Sequence, residues 1–236
     1  MIRSAPLLYT PAMAISAAVM AAIVLAGFIA AQERVSFSTE DGGLVYADVY
    51  GKGDRGVVLA HAGGLAKESW EKQGRTLAQA GFRSVAIDFR GEGESRGGTQ
   101  TLPPDEGRHL DVLAAVRYLR KTGAKSVAVV GASMGGDYAA EAAEAEPEAI
   151  DRLVLLAAGA YTPLIRMKGP KLFIMSRDDI IGNKKPRLPK IREQYEKAAG
   201  PKEFVILDGS AHAQRIFATD QGERLMREIL RFISAP

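Results

Sequence analysis

The sequence predicts an α/β protein: a mostly parallel sheet of about eight strands, helices on both faces, and an antiparallel hairpin at its N-terminal side. Three observations predict it. Short, β-rich, almost wholly apolar runs recur along the chain, helical stretches separate them, and a Gly-rich turn joins two strand-like segments ahead of the first run.

The first 33 residues stand apart. Arg3 is the only charge before Glu33, and Ala12–Ala31 is almost entirely apolar. A basic start, an apolar middle and the small pair Ala30–Ala31 before Gln32 describe an export signal. About 20 apolar residues would also just span a bilayer as a helix. The segment is therefore expected to be a cleaved signal peptide or an uncleaved N-terminal membrane anchor, and its richness in Ala over Leu favours cleavage. Either outcome places the folded domain, expected over 34–236, outside the cytoplasm. It would be periplasmic or secreted if the leader is cleaved and membrane-anchored if it is not.

Arg34–Thr39 and Leu44–Tyr50 flank Asp41-Gly42-Gly43 and read as a hairpin. Six runs follow: Val57–Ala60, Ser84–Asp88, Ser126–Val130, Leu153–Leu156, Leu172–Met175 and Phe204–Leu207. Near-continuous apolar character is what strands buried on both faces of a parallel sheet require. Helices are expected over Lys67–Ala80, Pro104–Lys121, Gly135–Glu146, Pro186–Ala199 and Gln214–Ile233. The last carries Ile216, Phe217, Leu225, Ile229, Leu230 and Phe232 at helical spacing. Such alternation implies right-handed crossovers. The connection from Leu156 to Lys171 is too short for an inserted lid domain.

Composition narrows the function. The 236 residues are 47% apolar and 25% charged, ordinary for one domain with a proper core. Net charge is +3 and no Lys/Arg block stands out, so no nucleic-acid groove is expected. The absence of cysteine excludes a thiol nucleophile, a thiolate metal site and disulfides. No clustered His/Asp/Glu spacing suggests a metal, and no cofactor is implied.

The central motif is Gly131-Ala132-Ser133-Met134-Gly135, followed by Gly136. A strand must turn sharply into a helix and leave the serine hydroxyl exposed, so the residues two before and two after it must be small. The motif is short enough to arise by chance; its place between a buried strand and a helix makes it specific. A serine nucleophile needs a base, and only three histidines exist. His212 follows the strand Phe204–Leu207, at the end of the sheet where this architecture gathers active groups. His109 falls within a helix and reads as a surface or packing residue. A carboxylate must orient the base. Asp178 and Asp179 both follow the strand Leu172–Met175, and Asp179, one position deeper into the turn, is the choice over Asp178. The chain order Ser, Asp, His separates the pattern from trypsin-like and subtilisin-like orders.

With these motifs the chain, from Arg34 to Ser234, resembles a serine α/β-hydrolase. It is most similar to small lidless members of the dienelactone-hydrolase and acyl-esterase type. Two further segments fit: His61-Ala62-Gly63-Gly64 is similar to the family's oxyanion loop, and Asp88-Phe89-Arg90-Gly91-Glu92-Gly93-Glu94-Ser95 to its D-x-R-G-x-G-x-S turn. The resemblance implies a Ser133–Asp179–His212 triad, with backbone N–H groups of Gly63 and Met134 in the oxyanion hole. Ala62 stands where the family usually has glycine, so the first donor stays open between Ala62 and Gly63. His61 is then structural, and Arg90 anchors its turn. Dienelactone hydrolases use a cysteine nucleophile, so that activity does not carry over.

The expected function is hydrolysis of small-molecule carboxylic esters, short-chain or bulky, through an acyl-enzyme. A peptidase or amidase, a thioesterase, and a non-catalytic binding protein on the same scaffold are the alternatives. Leu65, Trp70, Tyr161 and Ile180, with Ile181 and Ala213, are expected to wall an open apolar cleft because they flank the catalytic loops. Membrane contact is expected only through an uncleaved leader, and the oligomeric state is left open.

Overall fold

A computed structural model describes residues 32–98, 106–159, 161–181 and 185–236. The leader, apart from Gln32 and Glu33, lies outside the described residues, as does Pro104. No described helix is long and apolar enough to cross a membrane.

Ten strands form. β1 (Glu33–Ser38) and β2 (Leu44–Tyr50) are the expected hairpin, and β1 reaches one residue before the expected domain start. Its turn is closed by Thr39 N–H donating to the Gly43 carbonyl, with Gly42 at φ +83. The series continues with β3 (Arg55–Ala60), β4 (Phe82–Ile87), β5 (Ser126–Ala132), β6 (Arg152–Leu156), β7 (Lys171–Ser176) and β10 (Lys202–Leu207). These eight make one sheet in the order β1-β2-β4-β3-β5-β6-β7-β10. The pairs β1–β2 and β2–β4 are antiparallel and all others parallel. The residues of β3, β5 and β7 are buried almost throughout, which is why they read as unbroken apolar runs. β8 (Ile180–Ile181) and β9 (Lys185–Pro186) form a separate two-stranded ladder that the sequence did not announce.

The helices are α1 (Glu71–Gln79), α2 (Arg108–Lys121), α3 (Met134–Ala145), α4 (Leu188–Lys197) and α5 (Gly222–Ser234). Four differ from expectation by more than one residue, and of these α2 begins late, at Arg108, behind Gly107 in the left-handed region at φ +83. Lys67–Trp70 is a separate 3-10 turn ahead of α1, because Trp70, at φ −98 and ψ 1, leaves the α-helical region. α4 starts two residues late because Lys185–Pro186 pairs in β9. The expected helix Gln214–Ile233 is broken into a 3-10 turn, Ala213–Ala218, and α5. Gly222 marks the break: a Cβ there would meet the Phe217 carbonyl oxygen at 2.4 Å, so the chain doubles tightly over that turn.

The order of strands positions the site. From β3 the chain crosses to β4 on one side, then returns past β3 to β5 on the other. With right-handed crossovers, this reversal puts α1 and α2 on opposite faces. The loops after β3 and β5 therefore part at the sheet's switch point, where open α/β sheets leave a crevice beyond the strand ends. On the α1 face, the 3-10 turns at Trp70 and Phe217 meet ring to edge at 5.9 Å. The connection 157–170 holds no helix or strand among its described residues.

Candidate active site

Ser133 sits between β5 and α3 at φ 47, ψ −118, a conformation L-residues rarely hold and one that costs about 1–3 kcal/mol. Packing enforces it. A Cβ on Gly131 would lie 2.5 Å from Gly136 Cα, one on Gly135 would lie 2.5 Å from the Ala60 and His61 carbonyl oxygens, and one on Gly136 would lie 2.3 Å from Ala158 Cβ. The small residues thus let α3 start hard against β3 and β6. Ser133 N–H donates to the Leu156 carbonyl at 2.9 Å, and the Ser133 carbonyl accepts from Gly136 and Asp137 at 2.9 and 3.0 Å. The turn is locked at both ends.

His212 arrives from the loop after β10. Ser176 Oγ, at the end of β7, donates to the Ala211 carbonyl at 2.7 Å and holds that loop against the sheet. Asp178 N–H donates to the Gly209 carbonyl at 3.0 Å, joining the β7 and β10 loops. The ring of His212 lies 2.7 Å by Nδ1 from Asp179 Oδ2 and 2.8 Å by Nε2 from Ser133 Oγ. An ionised carboxylate only accepts, so Nδ1 carries the proton and Nε2 accepts from the serine hydroxyl. Asp179 is fully buried while Asp178 is exposed. Of the two adjacent carboxylates, the structure brings only Asp179 to the histidine.

The loop after β3 lies beside this chain of contacts. Ala62 N–H donates to Gln214 Oε1 at 2.7 Å, and Gln214 Nε2 donates to Ser69 Oγ at 2.8 Å. The Ala62 donor is therefore occupied. Gly63 is exposed and sits beside Met134, whose Sδ would be 3.6 Å from a Cβ on Gly63. Met134 is the first residue of α3, where a helix leaves backbone N–H groups without intrahelical acceptors. His61 is buried, donates from Nδ1 to the Ala62 carbonyl at 2.9 Å, and has Nε2 3.0 Å from Glu92. Its ring packs edge-on against Phe89 of the Asp88–Ser95 turn at 5.2 Å. Arg90 anchors that turn through Asp111 at 2.9 Å and Asp41 at 2.7 Å. His109 lies in α2 with Nδ1 3.0 Å from Glu141.

A cleft of about 400 Å³ opens at Ser133, lined by Met134, Asp137, Tyr138, Glu141, Tyr161, Thr162 and Arg187. It corrects the expected wall in most particulars. Tyr161 lines it, 67% exposed. Trp70 does not: it is 1% exposed, in the core against Phe217. Ala213 is buried at φ 50, and Leu65 is half-buried against the core. Ile180 is 51% exposed but absent from the lining, and the side chain of Ile181 lies outside the described residues. Asp137, Glu141 and Arg187 add charged groups to a lining that also holds Met134, Tyr138 and Tyr161, so the cleft is mixed rather than wholly apolar. Sequence proximity to a catalytic loop does not fix the direction of a side chain. Met134, Tyr138 and Glu141 were findable, because residues i, i+4 and i+7 of a helix that begins at Ser133 share one face. Thr162 and Arg187 come from distant loops and carry no such signal. Among the described residues, no group of three or more His, Asp or Glu could hold a metal.

Known proteins show the same frame. The chain is 29% identical over 164 residues to ABHD14B of Rattus norvegicus, a candidate protein-lysine deacylase, covering 66% of this chain and 73% of that one. It is 33% identical over 124 residues to the bifunctional esterase/perhydrolase DCH of Acinetobacter calcoaceticus, covering 51% of this chain and 43% of that one. In the solved structures it is similar to the esterase Pf2001 of Pyrococcus furiosus, with a TM-score of 0.70 at 20% identity, over 87% of this chain and 94% of that one. At that identity the likeness is one of fold. Residues 56–191, more than half of the chain, match the family described as the alpha/beta hydrolase fold; they contain Ser133 and Asp179 and end before His212. The chain belongs to the α/β-hydrolase family.

Proposed function

We propose that the protein is a serine hydrolase that cleaves carboxylic esters through an acyl-enzyme. One observation carries the reading: the unbroken hydrogen-bonded chain from Ser133 Oγ through His212 to buried Asp179, at 2.8 and 2.7 Å. As Ser133 Oγ attacks the ester carbonyl, its proton passes to His212 Nε2. Asp179 holds the Nδ1–H and stabilises the imidazolium. The tetrahedral oxyanion is received by the N–H groups of Gly63 and Met134, each worth about 3 kcal/mol to the barrier. His212 then protonates the leaving alcohol, and water repeats the sequence on the acyl group.

The Ala62 N–H is committed to Gln214, which supports Gly63 over Ala62 as the first oxyanion donor. Of the expected short-chain or bulky esters, the charged groups in the lining favour the short-chain ones. Asp137, Glu141 and Arg187 beside Ser133 offer a long alkyl chain no apolar tunnel. An amide substrate is the second reading, favoured by the deacylase description of the rat relative. Matched p-nitrophenyl esters and anilides, over a series of acyl lengths, test both. The proposal expects ester turnover that peaks at short chains and is lost in Ser133→Ala, and turnover retained in Ser133→Ala overturns it. We also propose that residues 1–33 export the domain, as signal or anchor; a reporter fused after Glu33 and found in the cytoplasm refutes this.

A further inference from the structure

The cleft beside Ser133 contains a cation, Arg187, that forms no ion pair with the described residues. Arg187 immediately precedes α4, and its backbone N–H donates to the Asp179 carbonyl at 3.0 Å. Its side chain turns toward the strand ends, where Nη2 donates to the Ala157 carbonyl at 3.2 Å. Ala157 follows Leu156, the residue whose carbonyl accepts from Ser133 N–H. The guanidinium and the nucleophile thus share one strand end. Arg187 Nε is buried and makes no hydrogen bond. No carboxylate of the described residues forms an ion pair with it, although Asp137 and Glu141 line the same cleft. Those two have other partners: Asp137 Oδ1 accepts from Gly159 N–H at 2.9 Å, and Glu141 Oε1 lies 3.0 Å from His109 Nδ1.

A guanidinium offers five N–H donors in a planar fork that fits a carboxylate, and Arg187 uses one of them on a neutral carbonyl. Arg187 is half-buried, and its buried Nε lacks an acceptor that a substrate carboxylate would supply on binding. The two acids on α3 repel an anion from their own wall and confine it to the Arg187 side. We propose that Arg187 is an anion subsite, and that Ser133 acts on esters carrying a second, ionised carboxylate in the acyl or the alcohol part. This rests on the ester-hydrolase reading above.

The test compares mono-p-nitrophenyl glutarate with p-nitrophenyl valerate, and 4-acetoxybenzoate with phenyl acetate, using the full chain. For at least one pair, kcat/KM should favour the charged ester. Within that pair, the ratio of charged to neutral should fall roughly 10–100-fold in Arg187→Gln, the range of one charge-assisted hydrogen bond, and partly recover in Arg187→Lys. A merely structural arginine would depress both esters and leave the ratio unchanged, which overturns the subsite. Calorimetric binding of glutarate separates the two proposals. Binding lost in Arg187→Gln, with no ester turned over by the wild type, upholds the subsite and removes the ester reading. Ester turnover with no glutarate binding and no charge preference does the reverse.

Discussion

The backbone N–H of Ala62 donates to the side-chain Oε1 of Gln214 at 2.7 Å, across 152 positions of sequence. Gln214 lies two residues beyond His212 and is buried, so one side chain ties the loop carrying the base to the loop after β3. Its amide also donates to Ser69 Oγ, which in turn donates to the Ala66 carbonyl at 2.5 Å. The loop from Ala62 to Ser69 is pinned in one geometry, with Gly63 at its exposed end.

If this pin sets the oxyanion donor, Gln214→Leu should lower kcat about 10-fold, since a misaimed donor forfeits part of the about 3 kcal/mol it would supply. KM should stay within about 2-fold, because uniform binding is not what is lost. Gln214→Glu keeps an acceptor for Ala62 N–H and should restore most of kcat. Steady-state kinetics on one short-chain ester checks all three values.

The two adjacent aspartates should separate by orders of magnitude. Asp179→Asn should reduce kcat about 10³–10⁴-fold, because an amide there favours the wrong imidazole tautomer. Asp178 is exposed, so Asp178→Asn should change kcat less than about 2-fold. Equal losses in the two variants would refute the assignment of the carboxylate.

Gly136→Ala tests the packing behind the nucleophile turn. Its Cβ would lie 2.3 Å from Ala158 Cβ and 2.8 Å from the Gly131 carbonyl oxygen, neither of which can swing aside. Denaturant unfolding should show a loss of about 1–3 kcal/mol or more, and activity should fall with it. A neutral effect would mean that α3 can slide away from β6.

The Asp41–Arg90 pair predicts an acid limb of stability. Arg90 hydrogen-bonds the Asp41 carboxylate and lowers its pKa from 3.8 to about 2. A depressed acid contributes stability that is full above the unfolded pKa and lost as pH falls through the folded one. The window is thus pH 4 to 2, and the loss is about 2 kcal/mol. Asp111, on the other side of Arg90, shifts upward because burial dominates, so the acid-side loss belongs to Asp41. Unfolding free energies of wild type and Asp41→Asn, compared at pH 5 and pH 2.5, should differ in slope by this amount.

The strands were legible because a buried parallel strand shows no alternation to misread: Val57–Ala60 and Leu172–Met175 each fall inside an observed strand that extends them by one or two residues. The helix ends were less legible. Gln214–Ile233 reads as one period, yet Thr219, Asp220 and Gly222 are the residues that stop and restart a helix, and the chain breaks there. Ser133, Asp179 and His212 could be picked out because each follows a strand at the same end of the sheet. The cleft could not. Trp70 and Arg187 were distinguishable only by which way the 3-10 turn and the start of α4 face, and that is decided by packing against Phe217 and Ala157. The small ladder β8–β9 leaves no mark in the sequence because two-residue strands carry no periodicity.

The proposed activity depends on a serine hydroxyl that its neighbours have made nucleophilic. Treatment of the protein with a fluorophosphonate, followed by peptide mass spectrometry, reads this directly. One equivalent of label on Ser133, absent from Ser133→Ala and strongly slowed in His212→Ala, is the predicted result. A folded wild-type protein that takes no label, or takes it on another residue, would contradict it.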